Sequence, residues 1–266
     1  MGRNLKETLA RGDIAVGMTV YTYSPPVVEA LGYWGFDFAF IDAEHTPITI
    51  DQTMDKLIMA AKLAGVAALV RVKGIDEVDI RKALEFGAEG IIVPRVRTRY
   101  EAERIVDAVK FPPEGRRGID ATVRSARYAG RGFDMEEYIK ESNRNTWIIP
   151  MHEDKQFDEE LDAILSVPGI DAVCFGPTDY ALSLGRALFY QMDDPTIQAA
   201  LSRLVSRAGP KGIGIMTPAV PPTLETARRL VSRGVNMLIL GSDMLNLQSA
   251  FGTIMSECVE PLRAGK

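Results

Sequence analysis

Residues 36–47 read Phe-Asp-Phe-Ala-Phe-Ile-Asp-Ala-Glu-His-Thr-Pro. The first six are mostly apolar or aromatic, the composition of a buried strand. The run ends abruptly in Asp42, Glu44 and His45, three groups that can hold or move a proton, and His45 is one of only 2 histidines in the chain. A dry strand that delivers a carboxylate and an imidazole three residues apart is how a barrel enzyme builds an acid–base site. The plainer alternative is a polar strand end that caps the next helix. The other strand ends decide between the two.

Outward from this stretch the chain alternates. Toward the N-terminus, Ala15–Val20 is a short strand, and Pro25 and Pro26 open a helix to about Leu31. Toward the C-terminus, Met54, Leu57, Ile58 and Ala61 share one face of a helix over 51–64, followed by a strand at 67–72. A helix from about Asp76 is stopped by Gly87, a strand covers Gly90–Pro94, and a charged helix covers about 99–109. Residues 111–131 break the rhythm and carry Arg116, Arg117, Arg124, Arg127 and Arg131, with a helix near 133–143 behind them. These arginines either receive an anionic ligand, pair with a neighbouring subunit, or form a solvated run. Alternation then resumes with strands at 147–153, 171–176, 212–216 and 235–240, and with helices at about 157–166, 195–208, 222–231 and 243–258.

Eight apolar strands, each trailed by a helix, fit a parallel sheet covered on its outer face. Eight repeats in 266 residues favour a (β/α)₈ TIM barrel, which typically takes ~250 residues, and make residues 1–266 one domain. A dinucleotide-binding sheet wants a Gly-x-Gly-x-x-Gly turn after its first strand, and here that strand ends in Val20-Tyr21-Thr22-Tyr23.

The composition, 46% apolar and 25% charged with a net charge of −5, is that of an ordinary globular chain. It argues against nucleic acid or an anionic membrane as the main partner. No apolar run reaches the ~18 residues of a membrane span, and the start shows no export signal. Cys174 and Cys258 stand far apart and imply no disulfide, so a cytoplasmic setting fits.

In a barrel the active site gathers at the C-terminal strand ends. Those ends supply Asp42 and His45, Arg71, Pro94 and Arg95, Glu153, Gly176-Pro177-Thr178-Asp179, Thr217 and Pro218, and Gly241-Ser242-Asp243. Glu153 and Asp179 are the metal candidates. Two carboxylates with no thiol or histidine pair beside them make a hard oxygen site suited to Mg²⁺ or Mn²⁺. The alternative is a helix cap for Asp179 and a surface charge for Glu153. Side chains alternate along a strand, so a Glu153 that faces the mouth sends His152 toward the helices in a structural role. Arg71, on a buried strand, needs an anion: a substrate oxygen, or Glu44 or Glu153 at the barrel mouth.

Several stretches now converge on one resemblance: Gly35-Phe-Asp-Phe-Ala-Phe-Ile-Asp-Ala-Glu-His45, Val70-Arg71-Val72, Leu84–Ala88 with Val93-Pro94, Phe111-Pro112-Pro113 with Arg117-Gly118, Glu153, Phe175–Asp179 with Leu184-Gly185, and Gly241-Ser242-Asp243. Over nearly its whole length the chain resembles the HpcH/HpaI aldolases, class II pyruvate aldolases acting on 4-hydroxy-2-oxo acids. The resemblance implies a carbon–carbon lyase with Glu153 and Asp179 ligating Mg²⁺ or Mn²⁺, and Arg71 steadying the enolate oxygen of pyruvate. It implies His45, oriented by Asp42, as the proton-handling group, and a substrate carboxylate held near Pro177, Thr178 and Asp179. It further implies that the last helix is exchanged between subunits of a hexamer or trimer of dimers, with Glu85 reaching a neighbouring site. Ala43, Asp120, Thr19, Tyr21 and Tyr23 depart from the family pattern and leave the aldehyde half of the substrate open.

Other readings stay on the table. The same site could decarboxylate oxaloacetate or hand its enolate to another acceptor. A class I mechanism would use Lys73 as a Schiff base. A CoA-ester lyase would need a nucleotide pocket, and a phosphate-binding barrel would use the short Gly241-Ser242 signal. A 2-oxo-acid sensor without turnover would have no use for Asp42 and His45.

Overall fold

A computed structural model describes residues 5–264. Eight parallel strands close into a barrel in sequence order: β1 (Ala15–Val20), β2 (Phe38–Asp42), β3 (Ala67–Arg71), β4 (Gly90–Val93), β5 (Trp147–His152), β6 (Ala172–Phe175), β7 (Gly214–Pro218) and β8 (Met237–Ser242). Helices separate successive strands, which makes this the (β/α)₈ architecture that strict alternation predicts.

Two apolar layers explain the strand compositions. Phe38 and Phe40 of β2, Leu69 of β3, Ile92 of β4, Trp147, Ile149 and Met151 of β5 and Cys174 of β6 fill the interior. The alternate residues, among them Ala39, Ile41, Val70, Ile91, Ile148 and Val173, pack outward against the helices. Both faces of β2 are therefore dry, and all five of its residues are buried. Gly17 pairs across from Phe38, and a Cβ there would sit 2.3 Å from the Phe38 ring, so the glycine makes room for that ring in the barrel. Emptying the position with Phe38→Ala is expected to cost ~3–5 kcal/mol.

The helices begin and end where local chemistry dictates. The Asp76 carboxylate accepts the N–H groups of Val78 and Asp79 at 2.8 and 2.9 Å, which starts the helix Glu77–Phe86. Gly87, at φ 101°, ends it in the left-handed conformation that residues with a Cβ avoid. Thr98 and Glu101 form a reciprocal capping box on the helix Arg99–Val109.

Some boundaries differ from the sequence expectation. The helix expected over 157–166 is two short ones, Lys155–Glu159 and Leu161–Ile164, with the break at Glu160. β8 runs to Ser242 rather than Leu240, because Ser242 pairs with Thr19 across a register shift in β1. β5 stops at His152, leaving Glu153 one residue past the ladder. The last helix, Asp243–Ile254, continues through a π-helical turn at Met255–Val259 into Glu260–Ala264. Phe251, Ile254 and Leu262 on this rod are exposed, so it covers little of its own barrel. No helix among the described residues is long and apolar enough to cross a membrane.

Candidate active site

Continuing the inward alternation past each apolar layer puts Asp42, Arg71, Glu153 and Gly176 at the C-terminal rim. Asp42 is fully buried and would be costly there without a partner. Its Oδ1 accepts the Arg71 Nε–H at 2.7 Å and the Glu44 backbone N–H at 2.9 Å, and its Oδ2 accepts the His45 backbone N–H at 3.3 Å. Asp42 thus fixes the Arg71 guanidinium and the main chain that carries Glu44 and His45. It bonds no atom of the imidazole; the ring's Nε2 instead stands 3.6 Å from Glu44 Oε2.

Arg71 is the other half of this pair. Its Nη1 lies 3.3 Å from Glu44 Oε2, and its guanidinium carbon sits 5.2 Å from the Phe40 ring centroid. Burial opposes its charge, but the hydrogen bond and charge of Asp42 and the charge of Glu44 outweigh burial and raise its pKa above the ordinary value. Glu44 is pushed above the ordinary carboxyl range by burial, against the pull of Arg71, His45 and Arg95. The mouth pairing that the sequence allowed between Arg71 and Glu44 is present.

Glu153 approaches from the far side. Its Oε1 accepts the Arg95 backbone N–H at 2.7 Å. Its Oε2 faces Gly176, where a Cβ would come within 3.0 Å, so the glycine leaves that oxygen space. Burial, and the negative charges of Glu44 and Asp179, push its pKa up to about 7 against the Arg95 hydrogen bond. Asp179 sits in the first turn of the helix Pro177–Ser183, whose N-cap Gly176 takes no side-chain bond. It is exposed and makes no hydrogen bond or ion pair among the described residues, so it does not serve as a cap.

These groups share two adjoining cavities. The inner one, about 80 Å³, is bounded by Arg71, Glu153, Pro177, Thr178 and Asp179. The outer one, about 230 Å³, is bounded by Glu44, His45, Arg95, Arg97, Glu153 and Asp179. Glu153 and Asp179 belong to both, so the two carboxylates stand where the cavities meet. No group of three or more metal-binding side chains gathers among the described residues. The donor set is therefore two carboxylates, Asp179 without a hydrogen-bond partner among the described residues and Glu153 with only Oε1 engaged. That fits a hard divalent ion whose remaining ligands come from water or substrate, and a cation there would relieve the crowding of negative charge.

The rim also holds residues that strand-end reading left unassigned. Tyr21 and Tyr190 line the inner cavity. Tyr21 is pushed up to about 12 by burial and then by Tyr190, Asp42 and Asp243, against Arg71. The Asp243 carboxylate accepts the Tyr21 and Thr22 backbone N–H groups at 2.9 and 3.0 Å and the Thr22 hydroxyl at 2.7 Å, tying β8 to the end of β1. Tyr190 lies in the connection after Gly185, where no periodicity marks it. Its N–H donates to Thr178 Oγ1 at 3.2 Å. Arg97 carries a signal of its own, a second charge two residues after the Arg95 that the end of β4 supplies.

Other groups lie elsewhere. His152 is fully buried on the helix side, its ring 4.6 Å from that of Phe157, as alternation along β5 requires. Lys73 is exposed and lines neither cavity. None of the arginines over 116–131 lines either cavity. Arg124 pairs with Asp55 through contacts of 3.0 and 3.1 Å, and Arg117 is stacked over Phe111 at 4.5 Å. Arg117 borders a separate cavity of about 580 Å³ beside Ala67, Glu89 and Trp147, at the N-terminal end of the strands.

A barrel with this rim belongs to a recognisable class of α/β enzymes. The model of the HpcH/HpaI aldolase/citrate lyase family matches residues 16–250, and the chain belongs to that family. It is 32% identical over 247 residues to 5-keto-4-deoxy-D-glucarate aldolase of Shigella dysenteriae serotype 1 (strain Sd197), covering 92% of each chain. The fold is similar to the crystal structure of an HpcH/HpaI aldolase from Desulfitobacterium hafniense DCB-2, with a TM-score of 0.86, 28% identity and 95% of each chain covered. It is similar also to the citrate synthase SbnG, with a TM-score of 0.85, 27% identity and 99% of each chain covered. The protein is a carbon–carbon lyase of the aldolase type.

Proposed function

We propose that the protein is a divalent-metal-dependent aldolase that cleaves or forms 4-hydroxy-2-oxo acids, with pyruvate and an aldehyde as the two halves. One observation carries this: Glu153 and Asp179 meet at the junction of two cavities, the inner of which is also walled by Arg71. Glu153 and Asp179 would hold Mg²⁺ or Mn²⁺. Such an ion, when bound, polarises the 2-oxo group as a Lewis acid.

The chain's own groups supply the rest. In cleavage, His45, directly or through a water, takes the proton of the 4-hydroxyl group. The C3–C4 bond then breaks, the aldehyde leaves, and the bonding pair remains on the three-carbon fragment as an enolate. Arg71, already locked by Asp42, presents a fixed positive charge to the enolate oxygen with no reorganisation at the moment of reaction. Thr178 and the polypeptide beside Pro177 border the carboxylate. Protonation at C3 gives pyruvate. In synthesis the same steps run backward. The name of the Shigella relative directs the first substrates toward keto-deoxy sugar acids.

The long C-terminal helix with exposed Phe251, Ile254 and Leu262 supports its exchange between subunits of a hexamer or trimer of dimers. The free cysteines Cys174 and Cys258, far apart in the chain, support a cytoplasmic setting. The test is pyruvate exchange and aldol cleavage before and after dialysis against EDTA, with borohydride added in a parallel sample. Loss of activity restored by Mg²⁺ or Mn²⁺, with no covalent adduct, is expected. Activity that survives dialysis, or a trapped pyruvyl-lysine, would overturn the metal reading.

A further inference from the structure

We propose that Arg95 binds an anionic group, a carboxylate or a phosphate, on the aldehyde half of the substrate. This rests on the aldolase reading above and names the chemistry of the acceptor.

The backbone sets up the side chain. Arg95 adopts φ 56°, a conformation uncommon for any residue with a Cβ, and its N–H is held on Glu153 Oε1 at 2.7 Å. The turn swings its side chain over the outer cavity, where Nε stands 3.6 Å from Glu44 Oε1. That side chain is 69% exposed and makes no hydrogen bond among the described residues.

The other charges around the cavity are already committed. Arg97 Nε donates to Asp154 Oδ2 at 2.8 Å, a closer pairing than the 3.6 Å contact of Arg95 with Glu44. Glu44 is shared between Arg71 at 3.3 Å, His45 at 3.6 Å and Arg95 at 3.6 Å. Glu153 and Asp179 would hold the divalent cation proposed above. Arg95 is thus the cation of this cavity that is held most loosely. A planar guanidinium in that state suits bidentate capture of a carboxylate or phosphate. The inner cavity, with Arg71 and Thr178, takes the 2-oxo acid. The aldehyde then lies on the His45 side, within the cavity Arg95 borders.

The experiment compares acceptors on the metal-loaded enzyme. Wild type, Arg95→Gln and Arg95→Lys are assayed for aldol addition of pyruvate to glyoxylate, glycolaldehyde phosphate and neutral glycolaldehyde. In Arg95→Gln the ratio of kcat/KM for the preferred anionic acceptor to that for glycolaldehyde is expected to fall ~10–100-fold, the worth of one charge-assisted hydrogen bond, carried by KM. Arg95→Lys should recover part of it. The anion whose ratio falls further identifies carboxylate or phosphate. Titration with oxalate, a mimic of the enolate, should match wild type in both variants, showing that the inner site is intact. A glyoxylate and phosphate ratio within a few-fold of wild type would overturn the proposal. A wild-type enzyme that condenses pyruvate with no aldehyde would instead overturn the aldolase reading, and this inference with it.

Discussion

Two strand ends in this barrel carry nearly the same chemistry and arrive at opposite outcomes. At the end of β2, His45 is grouped with Glu44, Arg71 and Arg95. At the end of β5, His152 is grouped with Asp158, Tyr180 and Arg203. The first imidazole is half exposed and borders a cavity. The second is sealed between three aromatic rings, Phe157, Phe175 and Tyr180, with Nε2 3.1 Å from Asp158 Oδ1. The difference is which side of the strand the residue takes, and beyond the ladder's last pair, which loop carries it. A histidine, a carboxylate and an arginine in proximity make a catalytic group only where substrate can reach them. Elsewhere they make a structural cluster.

The contrast is open to direct attack, beginning with its largest expected effect. His45→Ala should slow aldol cleavage by roughly 10²–10⁴, the usual worth of a general base, with little change in unfolding midpoint. Steady-state cleavage assays and thermal melts check both halves. His152→Ala should do the reverse. Removing a ring packed among three others is expected to destabilise the fold by ~2–4 kcal/mol in urea titrations, with kcat/KM per folded molecule within about tenfold of wild type.

The same cluster predicts an acid limit. Burial lowers the His152 pKa, outweighing the hydrogen-bonding and charge contributions of Asp158. Contacts with His152, Arg203 and Tyr180 outweigh burial and hold Asp158 well below the usual carboxylate range. Both groups take up protons more readily unfolded than folded. Their contributions are therefore present at neutral pH, His152's being lost as pH falls below ~6.5 and Asp158's below ~4. Urea midpoints measured from pH 8 to 4 should fall, and more steeply in Asp158→Asn, which removes the charge that favours His152 protonation in the folded state.

The smallest effect is expected away from the rim. Arg124 and Asp55 are each about a quarter exposed, so Arg124→Ala should cost no more than ~1 kcal/mol of monomer stability by urea titration.

The barrel was legible because each strand carries two dry faces and each helix its own start and stop. Asp76 and Gly87 mark one helix as plainly as the coordinates do. His152's placement followed from alternation alone. What could not be read was local backbone. Arg95 was visible as a charge, but its positive φ and its hydrogen bond to Glu153 come from tertiary contact. Tyr190 lies in a stretch without period or cap and borders the inner cavity through a tertiary contact, its N–H donating to Thr178 Oγ1. The composition of the arginine-rich segment leaves an anion site, a subunit contact and a solvated run open, and the structure takes up Arg124 with Asp55 and Arg117 with Phe111. Asp42 was expected to orient His45, and it does bond that residue, but at the backbone rather than the ring.

The most direct measurement of the central claim is Mn²⁺ binding followed by electron paramagnetic resonance, on wild type and on Asp179→Asn, with and without oxalate. The account predicts one tight Mn²⁺ per chain in wild type, a spectrum altered by oxalate, and loss of both in the variant while its melting profile is kept. Equal Mn²⁺ stoichiometry and equal response to oxalate in the two proteins would contradict it.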